Sequence, residues 1–199
     1  MQPARPLAAF HRTIMTALAA CSQNLLHLEI HIELDLSRCR FPLLKTFRVT
    51  RNVHFTAAMS SFLQHHPTLG DLELKSSIIS HHPVADIPFP RLVRFAGTDE
   101  ILDTLVFGSS TQKIDIRWKL DFTAIRMENV LSAFTPSADS VEYFRSKHYV
   151  FDGQLLYTLP RILPHLVILD LRLSNSSHNV SLPGFWLSLS RLVSVRYWI

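Results

Sequence analysis

Eleven histidines are the residues of this chain best suited to chemistry, and their spacing argues against the chemistry they suggest. His27 and His31 are four residues apart. On an extended segment that is about 13 Å between Cα atoms, too far to share one ion. His65–His66 and His81–His82 are adjacent pairs whose side chains point in different directions; His65 and His66 read instead as helix-ending residues favoured by the helix dipole. The sequence holds no G-x-S-x-G elbow, no H-E-x-x-H and no Walker loop. Its five glycines leave little for a phosphate cradle. Asp99–Glu100 are placed to open a helix, where capping accounts for them. Cys21 and Cys39 have neither metal spacing nor a disulfide framework, as expected of thiols in a reducing compartment. No enzyme activity, metal site or cofactor is expected. A histidine-based metal-dependent domain is an alternative that rests on the histidine count alone.

Composition narrows the classes further. Of the 199 residues, 47% are hydrophobic and 18% charged, which excludes a disordered chain and supports one sizeable core. The net charge of +4 is spread as single cations rather than as a stripe, so no nucleic-acid partner is expected. No apolar run reaches the roughly 18 residues of a membrane helix. Leu18-Ala19-Ala20-Cys21, preceded by Arg5 and Arg12, resembles a lipoprotein cleavage box. Leu7, Phe10, Ile14 and Leu18 recur at helical spacing, however, and an amphipathic helix over 7–21 explains the same residues. A cytoplasmic or nuclear location with no membrane partner is expected. Asn175-Ser176-Ser177 and Asn179-Val180-Ser181 are glycan acceptor patterns that would matter only after export.

The elements that must position any site are set by one recurring frame. Phe62 to Leu74 runs from an apolar helix end through Pro67 into Leu69-x-x-Leu72-x-Leu74. The frame returns from Leu25, Leu44 and Leu92, where Gly97 takes the third place, and from Thr111, Ala138, Leu166 and Leu192, at steps of 19 to 28 residues. A short strand cannot shield its apolar face alone, so neighbours stack and pool their leucines. Helices are predicted around Phe55–Leu63, Ile101–Val106, Met127–Phe134 and Leu155–Leu159, the last ended by Pro160. Pro42, Pro67, Pro90 and Pro164 mark the corners before strands. Ser76–Pro88 has no clear period and reads as a loop. The expected fold is α/β: a leucine-rich-repeat-like solenoid with a parallel sheet on its concave side and helices and turns on its convex side. A helix over 1–24 packs on the first repeat, and about eight strands fill 25–199. A doubly wound α/β domain is the competitor; short connections and the lack of a glycine-rich first turn weigh against it.

The phrases FPLLKTFRV (41–49), FLQHHPTLGDLEL (62–74), FPRLVRFAG (89–97) and LPRILPHLVILDL (159–171) resemble the irregular leucine-rich repeats of fungal F-box-type proteins. The resemblance covers most of 25–199 and implies repeats that hold the substrate of a ubiquitin ligase. The F-box that binds the Skp1 adaptor is not legible, so no Skp1 binding is expected from these residues. The asparagine or cysteine that many such repeats place after the strand is missing from most copies. Tyr197-Trp198-Ile199 would leave an apolar sheet edge, so a fragment of a longer solenoid without activity of its own is a further alternative.

In such a solenoid the residues between the inward positions face a protein partner. They are His27, Glu29 and His31; Thr46, Arg48 and Thr50; Asp71, Glu73 and Lys75; Arg94; Lys113, Asp115 and Arg117; Glu142 and Phe144; Asp170 and Arg172; Arg196 and Trp198. Parallel stacking would set Glu29 beside Arg48 and Arg48 beside Glu73. Phe144, Arg196 and Trp198 are the expected anchors, because aromatic and arginine side chains dominate interface energetics. The alternative for this face is a wet lattice of ion pairs with no partner.

Overall fold

Short segments of three to six residues form the strands among the described residues, most of them alternating apolar and polar side chains. The computed structural model describes residues 5–50, 54–75, 86–102, 104–118, 124–148, 154–173 and 194–198. Its strands are His27–Ile30 (β1), Thr46–Val49 (β2), Asp71–Leu74 (β3), Ile87–Phe89 (β4), Arg94–Thr98 (β5), Leu105–Phe107 (β6), Lys113–Arg117 (β7), Tyr143–His148 (β8), Ile168–Leu173 (β9) and Ser194–Trp198 (β10). Eight make one sheet in the order β1-β2-β3-β5-β7-β8-β9-β10, while β4 and β6 form a second, two-stranded sheet. Every pairing in both is parallel. The fold is α/β, and within the large sheet the strands follow one another in chain order.

The helices are Arg5–Ala20 (α1), Ala57–Gln64 (α2), Asp99–Leu102 (α3), Ala124–Ser132 (α4) and Gln154–Ile162 (α5). Thr56 caps α2, its hydroxyl accepting from the Met59 amide at 3.4 Å. His65 and His66 close the same helix, their Nδ1 atoms bonding the carbonyls of Ser61 and Phe62. Asp99 is buried where α3 begins, paired with Arg126 Nε of α4 at 2.7 Å. Met15 and Leu18 of α1 lie against the core. Among the described residues no helix is long and apolar enough to cross a membrane.

Each of the four prolines sits second in a four-residue turn that delivers the chain to a strand. The amides of Leu44, Leu69, Leu92 and Leu166 return to the carbonyls of Phe41, His66, Phe89 and Leu163 at 3.0, 3.2, 3.4 and 3.3 Å. Proline's fixed φ suits that position, and the leucine two residues after it turns inward and is buried. Thr111 stands where those leucines stand elsewhere. It is buried too, and its hydroxyl donates to the Leu92 carbonyl at 3.0 Å.

Register stacks the inward side chains in rows. Leu28, Phe47, Leu72, Phe95, Ile114, Phe144 and Leu169 lie opposite one another across successive strands. All are buried, each stabilising the fold by about 1.5–3 kcal/mol. In the next row Gly97 stands between Leu74 and Ile116. A Cβ there would meet the Phe95 ring at 2.6 Å, so the glycine makes room for that ring. Phe95 in turn meets Phe107 edge-on at 5.4 Å, and Phe107 meets Phe134 at 4.7 Å. This aromatic chain ties the large sheet to the layer beneath it.

Four expectations are corrected. The frame from Ala138 is displaced by three residues. Val141 and Phe144 are the buried positions and Ser146 takes the third, its hydroxyl accepting from Trp118 Nε1 at 2.7 Å. Leu105–Phe107 is a strand rather than helix, because Leu105 and Phe107 turn inward while Val106 stays exposed, a period of two. Ile87–Phe89, read as loop, is also a strand: Pro88 points outward, and Ile87 and Phe89 are buried. Pro160 does not end α5, which runs to Ile162 with Leu155 and Leu159 buried along one side. Residues 76–85 of the expected loop, the two glycan acceptor patterns, Leu192 and Ile199 lie outside the described residues.

Candidate functional site

The polar residues between the inward rows make the outer face of the large sheet, and register brings them together in two charged clusters. One centres on β3. Asp71 takes Arg48 Nη2 from β2 at 2.8 Å and Arg94 Nη1 from β5 at 2.7 Å. Glu73 takes Lys75 Nζ at 2.7 Å and Arg94 Nη2 at 3.2 Å, with Arg48 Nε at 3.9 Å. Burial pushes the Glu73 carboxyl up, but Lys75 and Arg94 outweigh it and hold the group below its ordinary range. The hydrogen bond from Arg48 to Asp71 strengthens the hold of that guanidinium on its proton.

The other cluster centres on β8 and β9. Asp170, 1% exposed, accepts Arg145 Nε at 2.8 Å and the Tyr143 hydroxyl at 3.2 Å, with Arg172 Nη2 at 3.4 Å. Arg145 also reaches Asp115 at 3.2 Å, and its guanidinium lies 5.5 Å from the centre of the Tyr143 ring. Burial raises the Asp170 carboxyl and the two arginines more than reverse it. Tyr143 moves the opposite way, its phenol raised first by burial.

Between the clusters the face dips into a pocket of about 150 Å³. Ala96, Gly97 and Thr98 of β5 form its floor; Glu73 and Lys75 stand on one side, and Asp115, Arg117, Arg145, Lys147 and Arg172 on the other. Beside the pocket the strands flanking β5 carry long side chains, whereas β5 carries Ala96 and Thr98, which is why the depression falls there.

Most of the residues expected on this face are on it. Glu29 is exposed beside Arg48 in register and lies 3.6 Å from His31, while Arg48 stands beside Glu73. Lys75, Asp115, Arg117 and Arg172 line the pocket. Phe144 does not belong here. The displaced frame puts its ring in the core, fully buried, and turns Tyr143, Arg145 and Lys147 outward in its place. Arg196 and Trp198 lie on β10 opposite Asp170 and Arg172; their side chains fall outside the described residues. Arg145, Lys147 and the small floor of β5 escaped the sequence reading. Starting the sixth frame at Val141 would have found the first two, because Val141-x-x-Phe144 is the stronger apolar pair. Among the described residues no three His, Cys, Asp or Glu side chains converge as metal ligands do.

No protein-family model, curated protein or solved structure matches this chain.

Proposed function

We propose that this chain is an irregular leucine-rich-repeat solenoid that binds another protein on the outer face of its large sheet. One observation carries the proposal: the sheet is all-parallel, yet only one of its faces is apolar and buried. All-parallel sheets occur almost entirely with both faces covered. Here Arg48, Arg94, Asp115 and Arg145 on the second face keep 30–40% of their side chains exposed. A wet, charged face across the aligned strands whose side chains are described is a platform that a repeat architecture supplies and a doubly wound domain does not. Repetition of the proline turn before four of the strands, and strand order that follows the chain, support the repeat reading. The resemblance to F-box-type repeats extends the proposal to holding the substrate of a ubiquitin ligase, without assigning adaptor contact to any residue.

Selection of a random peptide library on the immobilised chain, followed by hydrogen-exchange mapping of the winners, tests this. Protection of the outer-face strands is expected, with binding lost in Glu73→Arg. Failure to enrich any peptide, or protection confined to the helices, refutes it.

A further inference from the structure

The pocket over β5 combines three features that point to a ligand. Thr98 is 5% exposed and lines the pocket, yet its hydroxyl finds no hydrogen-bond partner among the described residues. A buried hydroxyl left so is destabilising by about 1–3 kcal/mol. Arg117 stands opposite Thr98 on one side and Lys147 on the other, and Lys147 stands opposite Arg172. Like charges directly opposite on neighbouring strands repel. Among the described residues neither Arg117 nor Lys147 makes an ion pair, whereas in the middle row of the same face Arg48 pairs with Glu73, and Arg145 with Asp115 and Asp170. The lining as a whole sets five cationic side chains against two carboxylates. A pocket in which cations outnumber carboxylates, and in which two of those cations lack an ion-pair partner among the described residues, suits an oxygen anion.

We propose that the pocket over Ala96, Gly97 and Thr98 anchors a carboxylate side chain from an acidic segment of the partner protein. Arg117 and Lys147 supply the charge, and Thr98 supplies a donor once its hydroxyl, covered in the free chain, turns toward the pocket on binding. This rests on the outer face being a protein-binding surface and names the chemistry of what binds there. A polynucleotide fits less well. Glu73 and Asp115 stand on the pocket wall, with Asp71 and Asp170 beyond them, and a continuous run of phosphates would meet them. A peptide can place acids over the cations and neutral or basic residues over the carboxylates.

Fluorescence anisotropy on the full chain tests the proposal, using labelled peptides of alternating Glu and Ser or Gln and Ser, a phosphoserine peptide otherwise neutral, and oligothymidylate. The Glu peptide is expected to bind at least about tenfold tighter than the Gln peptide, and to weaken with salt. Arg117→Glu with Lys147→Glu should abolish that preference. Arg12→Glu with Arg38→Glu, an equal change of net charge on exposed residues elsewhere, should leave it within about twofold. Thr98→Val should weaken the Glu peptide several-fold while raising the melting temperature, a combination that a purely structural role would not give; Arg117→Ala and Lys147→Ala serve if the double reversal fails to fold. Equal binding of Glu and Gln peptides, indifference to the Arg117 and Lys147 variants, equal loss in the Arg12 and Arg38 control, or binding by the phosphoserine peptide or oligothymidylate alone overturns it. The library selection separates the two failures. Winners that protect the outer face without enrichment in Asp or Glu end this inference and leave the protein-binding reading standing; no winners on that face end both.

Discussion

The same eight strands make both faces of the large sheet, but different forces hold the two faces. Inward, Phe47, Phe95 and Phe144 share one core with the helices and with β4 and β6, so a side chain removed leaves a hole that its neighbours cannot fill. Outward, Asp71, Glu73 and Asp115 are held by cations from neighbouring strands, and water can replace most of what is lost. Asp170 departs furthest from this: it lies on the outer face, yet it is buried beneath Arg145, Arg172 and Tyr143. The comparison teaches that alternation along a strand sorts residues by face, while the strand's neighbours decide how much each is worth.

The largest test of that division is Phe144→Ala, which should lower stability by about 3–5 kcal/mol in urea denaturation; a loss under about 1 kcal/mol would return Phe144 to the outer face. Next comes Asp170→Ala, which takes from Arg145 the closer of its two carboxylates and leaves the Tyr143 hydroxyl without its acceptor, and should be destabilising by about 1–3 kcal/mol, more than an exposed pair would give.

Acid separates the faces by pH. Beneath the sheet, the His66 Nε2 atom accepts the Phe41 amide at 3.0 Å while Nδ1 bonds the Phe62 carbonyl at 2.6 Å. Burial lowers its pKa from the ordinary 6.5. The unfolded chain therefore takes the proton first, and the stability His66 contributes is complete above pH 6.5 and falls as the pH drops toward the depressed folded value. Glu73 and Asp170 are also lowered, from 4.5 and 3.8, so their contribution persists above those values and is lost only in stronger acid. Thermal melts across this range should show His66→Gln flattening the upper window and leaving the lower one unchanged. Smallest of all, Lys147→Ala should change stability by no more than about 0.5 kcal/mol, three residues along the same strand from the most damaging substitution.

Much of this arrangement was legible in the sequence because leucine at the first inward position and proline before it act locally. Leu69-x-x-Leu72-x-Leu74 needs no distant information to read as turn and strand. Where the core accepts a polar or missing side chain, the pattern fades. Ser146 occupies an inward position only because Trp118, from beyond the neighbouring strand, hydrogen-bonds it, so the frame containing Phe144 was read three residues early. Gly97 hides its purpose in the same way, since what it accommodates is the ring of Phe95. Of the outer face, the alternation that pairs Arg48 with Glu73 could be read directly. The pocket could not, because it arises from short side chains on one strand lying between long ones on its neighbours, and Arg145 and Lys147 were lost with the displaced frame.

Strand order carries a consequence for how the chain is made. Each strand of the large sheet leans on the one translated before it and supports the one translated after. At ribosomal speed a segment of roughly 25 residues takes about 1–5 seconds to emerge, whereas closing a short loop takes well under a microsecond. Every new unit can therefore settle onto a finished predecessor while the rest is still being synthesised, with no partner awaited from the far terminus.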